Sequence, residues 1–149
     1  MILGVLGAAV ALVGCSGPKR SEPLTRGELT RRANAVCRRA NDRIGRVATP
    51  DPLDSATSAE AFARVVSEQR AALRRLRALV PPEVDAADHE RWLTQINLTL
   101  DLADESIEAI ANDDPQAAIA ANDRAEDIRV DADAFAVEYG ITDCAQPTG

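Results

Sequence analysis

Three cysteines offer the most specific covalent chemistry in this sequence. Cys15 directly follows an apolar run at positions 2–14, whereas Cys37 and Cys144 stand far apart in the remaining chain. A cysteine thiol can be acylated, oxidised to a disulfide or deprotonated to bind a metal, depending on its compartment and neighbours. The three cysteines are therefore candidates for lipid attachment after export and for disulfide pairing, rather than for catalysis.

Side chains that commonly carry catalysis are sparse. His89 is the only histidine, and Ala86 stands three residues before it, where a carboxylate-bridged di-iron bundle needs glutamate. The sequence has no Gly-x-Ser-x-Gly motif and no glycine-rich phosphate loop. We therefore predict that the protein is not an enzyme and has no catalytic residues, no cofactor and no metal site.

Acidic residues recur at helical spacing in two later segments. One set is Asp101, Asp104, Glu105 and Glu108, and the other is Asp123, Glu126, Asp127 and Asp131. The favoured interpretation is a solvated acidic surface. The alternative is a site for calcium or another hard cation, which oxygen ligands bind.

The apolar run ends in Leu12-Val13-Gly14-Cys15. Its thirteen residues are short for a membrane-spanning helix, which needs about 20, but are typical of an export signal. The four final residues resemble the lipobox of bacterial lipoproteins. That resemblance implies a signal peptide at 1–14, cleavage before Cys15, and lipid attachment to Cys15 with palmitate as an expected acyl chain. The mature chain would then be anchored at the extracytoplasmic face of the cell membrane.

One feature departs from the lipoprotein pattern. Export signals begin with positive charge, whereas the first cations here, Lys19 and Arg20, follow the apolar run. We expect the true start codon to lie upstream. The alternatives are a plain N-terminal membrane anchor and a cleaved signal that leaves Cys15 free.

The net charge of −7 conceals a division along the chain. Residues 15–80 carry fourteen basic and seven acidic side chains, and residues 81–149 carry three basic and seventeen acidic. The favoured interpretation is attraction between the two halves across a helical bundle. The alternative is a basic face for anionic lipid or cell-wall polymer. Arginine without interleaved aromatic residues does not favour nucleic acid as a partner.

Apolar residues at three- and four-residue spacing predict four helices, at about 25–47, 58–79, 85–112 and 115–139. Thr57 and Glu60 have the spacing of a capping box for the second helix. Asp114 and Pro115 predict the start of the fourth, and Gly140 its left-handed end. The apolar residues that we expect to face the core include Phe62 on the second helix and Ile119 on the fourth.

Connections between these helices are short, which predicts an all-α, up-down-up-down four-helix bundle at 25–149. Residues 15–24 contain two prolines, Gly17 and several polar residues, and are predicted to form a flexible tether. Because the first helix begins and the fourth ends at the same end of such a bundle, the C-terminal tail can fold back towards Cys37.

An exported pair of cysteines in an oxidising compartment is expected to be joined, so we predict a Cys37–Cys144 disulfide from the first helix to the tail. Two buried free thiols or a redox-active pair are the alternatives. Asn34 and Asn41 flank Cys37, and we expect them to bond to the incoming tail or to water.

Three further short motifs lie in the predicted bundle: Cys37-x-x-Ala40-Asn41, the segment LRALVPP at 76–82, and Tyr139-Gly140-Ile141-x-x-Cys144. Together they resemble a group of small, mostly uncharacterised exported or lipid-anchored actinobacterial proteins. The resemblance implies a helical bundle with a Cys37–Cys144 bridge and implies no activity.

The leading functional hypothesis is a membrane-anchored, extracytoplasmic structural or interaction module with a partner in the cell envelope. The second hypothesis is a helical bundle that binds a small ligand or a cation.

Overall fold

The computed structural model of the protein describes residues 22–47 and 55–145. Four α-helices account for most of these residues, and the described ranges contain no β-strand. The helices are α1 (Arg26–Ile44), α2 (Ser55–Arg77), α3 (Ala86–Ala111) and α4 (Pro115–Tyr139), with 3-10 turns at Glu83–Asp85 and Thr142–Cys144. The proposed signal peptide, Cys15 and most of the tether lie outside the described residues.

Helix α1 begins with a capping box that the sequence interpretation missed. The hydroxyl of Thr25 accepts a hydrogen bond from the backbone N–H of Glu28, and the Glu28 carboxylate accepts one from the Thr25 N–H at 3.1 Å. Two backbone donors that a helix start leaves free are thereby satisfied. At the other end α1 stops at Ile44, three residues before the predicted boundary, with Gly45 at its C-cap.

The predicted start of α2 is wrong. The helix begins at Ser55, so Thr57 and Glu60 lie inside its first two turns and Thr57 is not the N-cap. A hydroxyl followed three residues later by glutamate is not confined to helix starts. Here the Glu60 carboxylate forms an ion pair with Arg64 one turn further on, which is an ordinary pairing on a helix surface.

Both ends of α4 lie at the predicted residues. The Asp114 side chain accepts a hydrogen bond from the Ala117 N–H at 3.0 Å, and Pro115 occupies the first helical position. Gly140 has φ of 89°, a left-handed conformation that glycine adopts without strain. The next residue, Ile141, donates its N–H to the Ala136 carbonyl at 2.7 Å and is fully buried, so it closes the helix end with a hydrophobic contact.

The helices pack as a four-helix bundle, as predicted. Helix α2 packs on α1, α3 on α2, and α4 on α3. The 3-10 turn after Ile141 packs against both α1 and α4. We call residues 141–145 the C-terminal tail. This tail packs between the first and last helices and closes that side of the bundle.

The buried core draws on all four helices and the tail. Its members are Leu29, Ala33, Cys37, Val66, Leu73, Leu76, Trp92, Leu93, Leu100, Ala132, Ala136, Tyr139 and Ile141.

Two predicted inward residues are exposed instead: Phe62 is 48% exposed and Ile119 is 52% exposed. On α4 the small residues Ala118 and Ala121 take the buried face, which turns the adjacent Ile119 about 100° away from it. On α2, Phe62 lies in the second turn, where its neighbours cover only half of its ring.

Candidate functional site

The predicted disulfide joins α1 to the C-terminal tail. Cys37 lies at the start of the fourth turn of α1 and Cys144 ends the 3-10 turn of the tail, with 5.1 Å between their Cα atoms. Neighbouring core residues leave Cys37 only 7% exposed. The pair is a structural crosslink that closes a loop spanning α2, α3 and α4.

Two asparagines of α1 hold the tail beside this crosslink. Asn34 donates its amide N–H to the Gly140 carbonyl at 2.9 Å and accepts from the Asp143 N–H at 2.9 Å. Asn41, two turns further along α1, donates to the Asp143 carbonyl at 3.0 Å. The expectation that these asparagines bind the incoming tail is confirmed, and their amides serve structure here.

A row of aromatic rings runs through the core towards the end of the bundle where the chain enters α1. Ring centroids are 5.8 Å apart for Trp92 and Phe135, and 5.4 Å apart for Phe135 and Tyr139. The Arg26 guanidinium lies over the Tyr139 ring at 4.3 Å, a favourable cation–π geometry. Periodicity predicts that Phe135 and Tyr139 share one stripe of α4, but only the packing of α3 against α4 brings Trp92 next to them.

The phenol of Tyr139 ends this row in a hydrogen bond. Its hydroxyl donates to an oxygen of the Asp85 carboxylate at 2.5 Å. Burial, together with the adjacent Asp85 carboxylate, raises the pKa of the Tyr139 hydroxyl well above its usual value. The phenol therefore stays protonated at neutral pH and ties the end of α4 to the start of α3.

The single histidine is a core residue. His89 is 3% exposed, lies 5.7 Å from the Trp92 ring, and its Nε2 has no hydrogen-bond partner among the described residues. Burial lowers the pKa of the imidazole, and the nearby Glu90 carboxylate only partly opposes this shift. His89 is thus neutral at pH 7, and it occupies the apolar core rather than a surface cleft.

Many residues of the two acidic sets are bound to arginines. Arg70 of α2 reaches Asp101 at 2.9 Å and Asp104 at 2.5 Å, both on α3. Between α3 and α4, Arg124 pairs with Glu105 at 2.5 Å. Within the described ranges no three His, Cys, Asp or Glu side chains are arranged to hold a metal ion.

Arg129 binds two further carboxylates on its own helix, Glu126 and Asp133, each at 2.5 Å. The hydrogen bond from Arg129 lowers the pKa of Glu126. A second bridge between the basic and acidic halves joins Arg38 to Asp143 at 3.0 Å. Together with the Arg70 bridges, it shows ion pairing between the two halves, as the favoured interpretation of the charge pattern predicts.

A cleft of about 350 Å³ opens between the start of α1 and the end of α2. Leu24, Leu79 and Val80 line its apolar side, and Glu22, Glu28 and Arg32 are its charged lining residues. The Leu24 N–H donates to the Val80 carbonyl at 2.9 Å and fixes the two chain segments on either side. No sequence motif indicates this cleft, because it depends on how two distant segments meet.

Three exposed apolar residues lie along one stripe of α4. Ile119, Val130 and Val137 are 52%, 55% and 58% exposed. Their spacings of eleven and seven residues return to nearly the same angle around a helix. We call these three residues the α4 stripe. Acidic residues, Asp123 and Glu126 among them, interrupt it along the helix.

Comparison of the chain with protein-family models, curated protein sequences and solved structures found no match. Within the described ranges, each helix is too polar over its length to cross a membrane.

Proposed function

We propose that the chain is a bacterial lipoprotein, anchored to the cell membrane through a lipid on Cys15, whose helical bundle serves as an extracytoplasmic interaction module. The anchor follows from the lipobox-like residues 12–15. The observation that carries the proposal is the Cys37–Cys144 disulfide. Such structural crosslinks form and persist in oxidising compartments outside the cytoplasm and are rare within it.

The α4 stripe supports an interaction role. Exposed apolar side chains scattered singly need no explanation, but residues repeated along one helical face are typical of surfaces that a partner covers. The stripe's acidic neighbours favour a partner with basic residues around an apolar contact. We therefore place the contact with an envelope protein on α4.

Mass spectrometry of the protein, extracted gently from the envelope of its own host, tests the anchor. We expect a chain that begins at an acylated Cys15 and is two hydrogens lighter than the reduced form. A chain that still begins at Met1, or one with two free thiols, contradicts the proposal.

Proximity labelling in the same envelope tests the partner surface. Replacing Ile119, Val130 and Val137 together by asparagine should remove the labelled neighbour. Val84→Asn is the matched control, because Val84 is 88% exposed and lies in the 3-10 turn that precedes α3, away from the stripe. Equal labelling of the same neighbours by the stripe variant and the control would show that α4 is not the contact surface.

The cleft beside Arg32 favours a second candidate function, the binding of a small ligand. Its apolar wall, with the Arg32 guanidinium and the carboxylates of Glu22 and Glu28 beside it, suits a compact molecule that has a hydrophobic part and polar groups of both kinds. Native mass spectrometry of the wild-type protein should then show the added mass of a bound ligand. The Ala63→Trp variant should retain this added mass, and the Ala78→Trp variant should lack it. Ala78 lines the cleft, whereas Ala63 is an exposed residue elsewhere on α2. A protein that carries no extra mass removes this candidate.

A further inference from the structure

Charge is segregated between two sides of the bundle. The described residues up to Val80, which include α1 and α2, carry twelve arginines and five acidic residues. Those from Pro81 to Ala145, which include α3 and α4, carry three arginines and seventeen acidic residues. Because α1 packs on α2 and α3 on α4, the two groups form opposite sides of the molecule. The bundle is therefore a strong electrostatic dipole across its width.

Most arginines on the basic side, which consists of the described residues up to Val80, make no ion pair with a described residue. Arg31 and Arg38, like Arg32 and Arg39, stand seven residues apart on α1 and so lie on common stripes away from the buried Leu29 and Ala33. Apart from Arg26, which lies over the Tyr139 ring, and Arg46, which donates to the Asp42 carbonyl, six arginines on this side are exposed and make no ion pair with a described residue: Arg31, Arg32, Arg39, Arg74, Arg75 and Arg77.

Three of the five acidic residues on this side have partners other than the free arginines. Glu68 is bound to Arg43 at 2.5 Å, and Glu60 is bound to Arg64. Glu28 accepts hydrogen bonds from Thr25, which are the main cause of its lowered pKa, with Arg32 contributing less. We call the outer surface of α1 and α2, with its six free arginines, the basic face.

The proposed anchor brings the basic face within reach of a membrane. Eight residues lie between Cys15 and Leu24, so a fully extended chain of nine residue steps between them spans at most about 30 Å. Helix α1, with nineteen residues, is itself about 28 Å long. An anchor at Cys15 thus holds all six arginines close to the headgroups at a high effective concentration.

We infer that the basic face docks side-on against anionic phospholipid headgroups of the membrane that carries the anchor, an inference that rests on the proposed function. Guanidinium groups match phosphate oxygens with two parallel hydrogen bonds. A negative leaflet attracts the basic face and repels the acidic side. Docked in this way, the helices lie in the membrane plane and the side that carries α3 and α4 points outwards.

Polarised attenuated-total-reflection infrared spectroscopy tests this orientation on the full-length lipidated protein in supported bilayers. On phosphatidylcholine with 30% phosphatidylglycerol, the amide I dichroism should report helix axes in the membrane plane. On phosphatidylcholine alone, or in high salt, it should report no preferred orientation, since screening removes the attraction. An in-plane orientation on both bilayers would overturn the electrostatic mechanism.

Matched double variants locate the docking surface. R32Q/R39Q should reduce the ratio of docked to undocked protein about thirtyfold, because each arginine near an anionic surface is worth about fivefold. R91Q/R124Q removes the same charge from exposed sites on α3 and α4 and should keep the in-plane orientation. Equal effects of the two double variants would overturn the assignment to the basic face.

The failure of docking and the failure of the anchor have different signatures. Mass spectrometry of the sample before reconstitution reports whether Cys15 carries lipid. A lipidated protein with random orientation on the anionic bilayer refutes docking and leaves the anchor intact, whereas a chain without lipid refutes the anchor. Random orientation combined with binding of a soluble poly(glycerol phosphate) would assign the basic face to an anionic wall polymer instead.

Discussion

Removing the Cys37–Cys144 crosslink should cost the domain a large part of its stability. The bond closes a loop with a sequence separation of 107 residues. In the chain-entropy description, a loop of about 100 residues restricts the unfolded chain by about 4.7 kcal/mol. Single domains are commonly stable by about 5–15 kcal/mol in total. The double variant Cys37→Ala/Cys144→Ala should therefore be only marginally folded.

Urea denaturation followed by circular dichroism measures this loss. For a slope of about 1–3 kcal/mol per molar urea, a loss of about 4–5 kcal/mol should lower the unfolding midpoint by about 1.3–5 M. Wild-type protein in reducing buffer should unfold close to the double variant, whereas Ser67→Ala, an exposed change on α2, should unfold like the oxidised wild type. A double variant that keeps the wild-type midpoint would refute the view that the tail is fastened mainly by this bond.

Three further predictions concern the core and the tail. Because burial depresses the pKa of folded His89 below its usual 6.5, the unfolded chain binds more protons and stability should fall as pH drops below about 6.5. His89→Leu should flatten the dependence of the urea midpoint on pH between about 5 and 7, and a variant with the wild-type slope would contradict the assignment. Gly140→Ala should lower the free energy of unfolding by about 1–2 kcal/mol, since φ is 89° and the new Cβ would lie 3.4 Å from Thr30 Cγ2; an unchanged thermal midpoint would contradict it. Asn34→Ala removes both tail hydrogen bonds of that amide and should cost about 2 kcal/mol and speed reduction of the disulfide by dithiothreitol, whereas unchanged reduction kinetics would show that Asn34 does not hold the tail.

The parts of the fold that local chemistry determines were predictable from the sequence. Asp114, Pro115 and Gly140 act through their own backbone conformations and hydrogen bonds, and they fix both ends of α4 without reference to other helices. The capping pattern at Thr57 failed because the same spacing inside a helix serves a different pairing. The disulfide was predictable from the cysteine count and the direction of the helices.

Features that depend on register between helices were not predictable. The Arg70 bridges to Asp101 and Asp104, the aromatic row and the cleft beside Arg32 need positions fixed to within a few ångströms across distant segments. Periodicity gives the angle of a residue around its own helix and not what lies opposite. For the same reason Ile119 was predicted inside, although Ala118 and Ala121 fill the inward positions of α4.

The crosslink also determines how the domain carries mechanical load. When a pulling force acts between the N-terminus and α4, tension enters through the first three turns of α1. It then crosses the sulfur–sulfur bond to Cys144 and passes along the tail into α4. Helices α2 and α3 lie within the closed loop and are bypassed by this covalent path. An oxidised molecule can therefore transmit tension between its two points of attachment while most of its core stays unloaded.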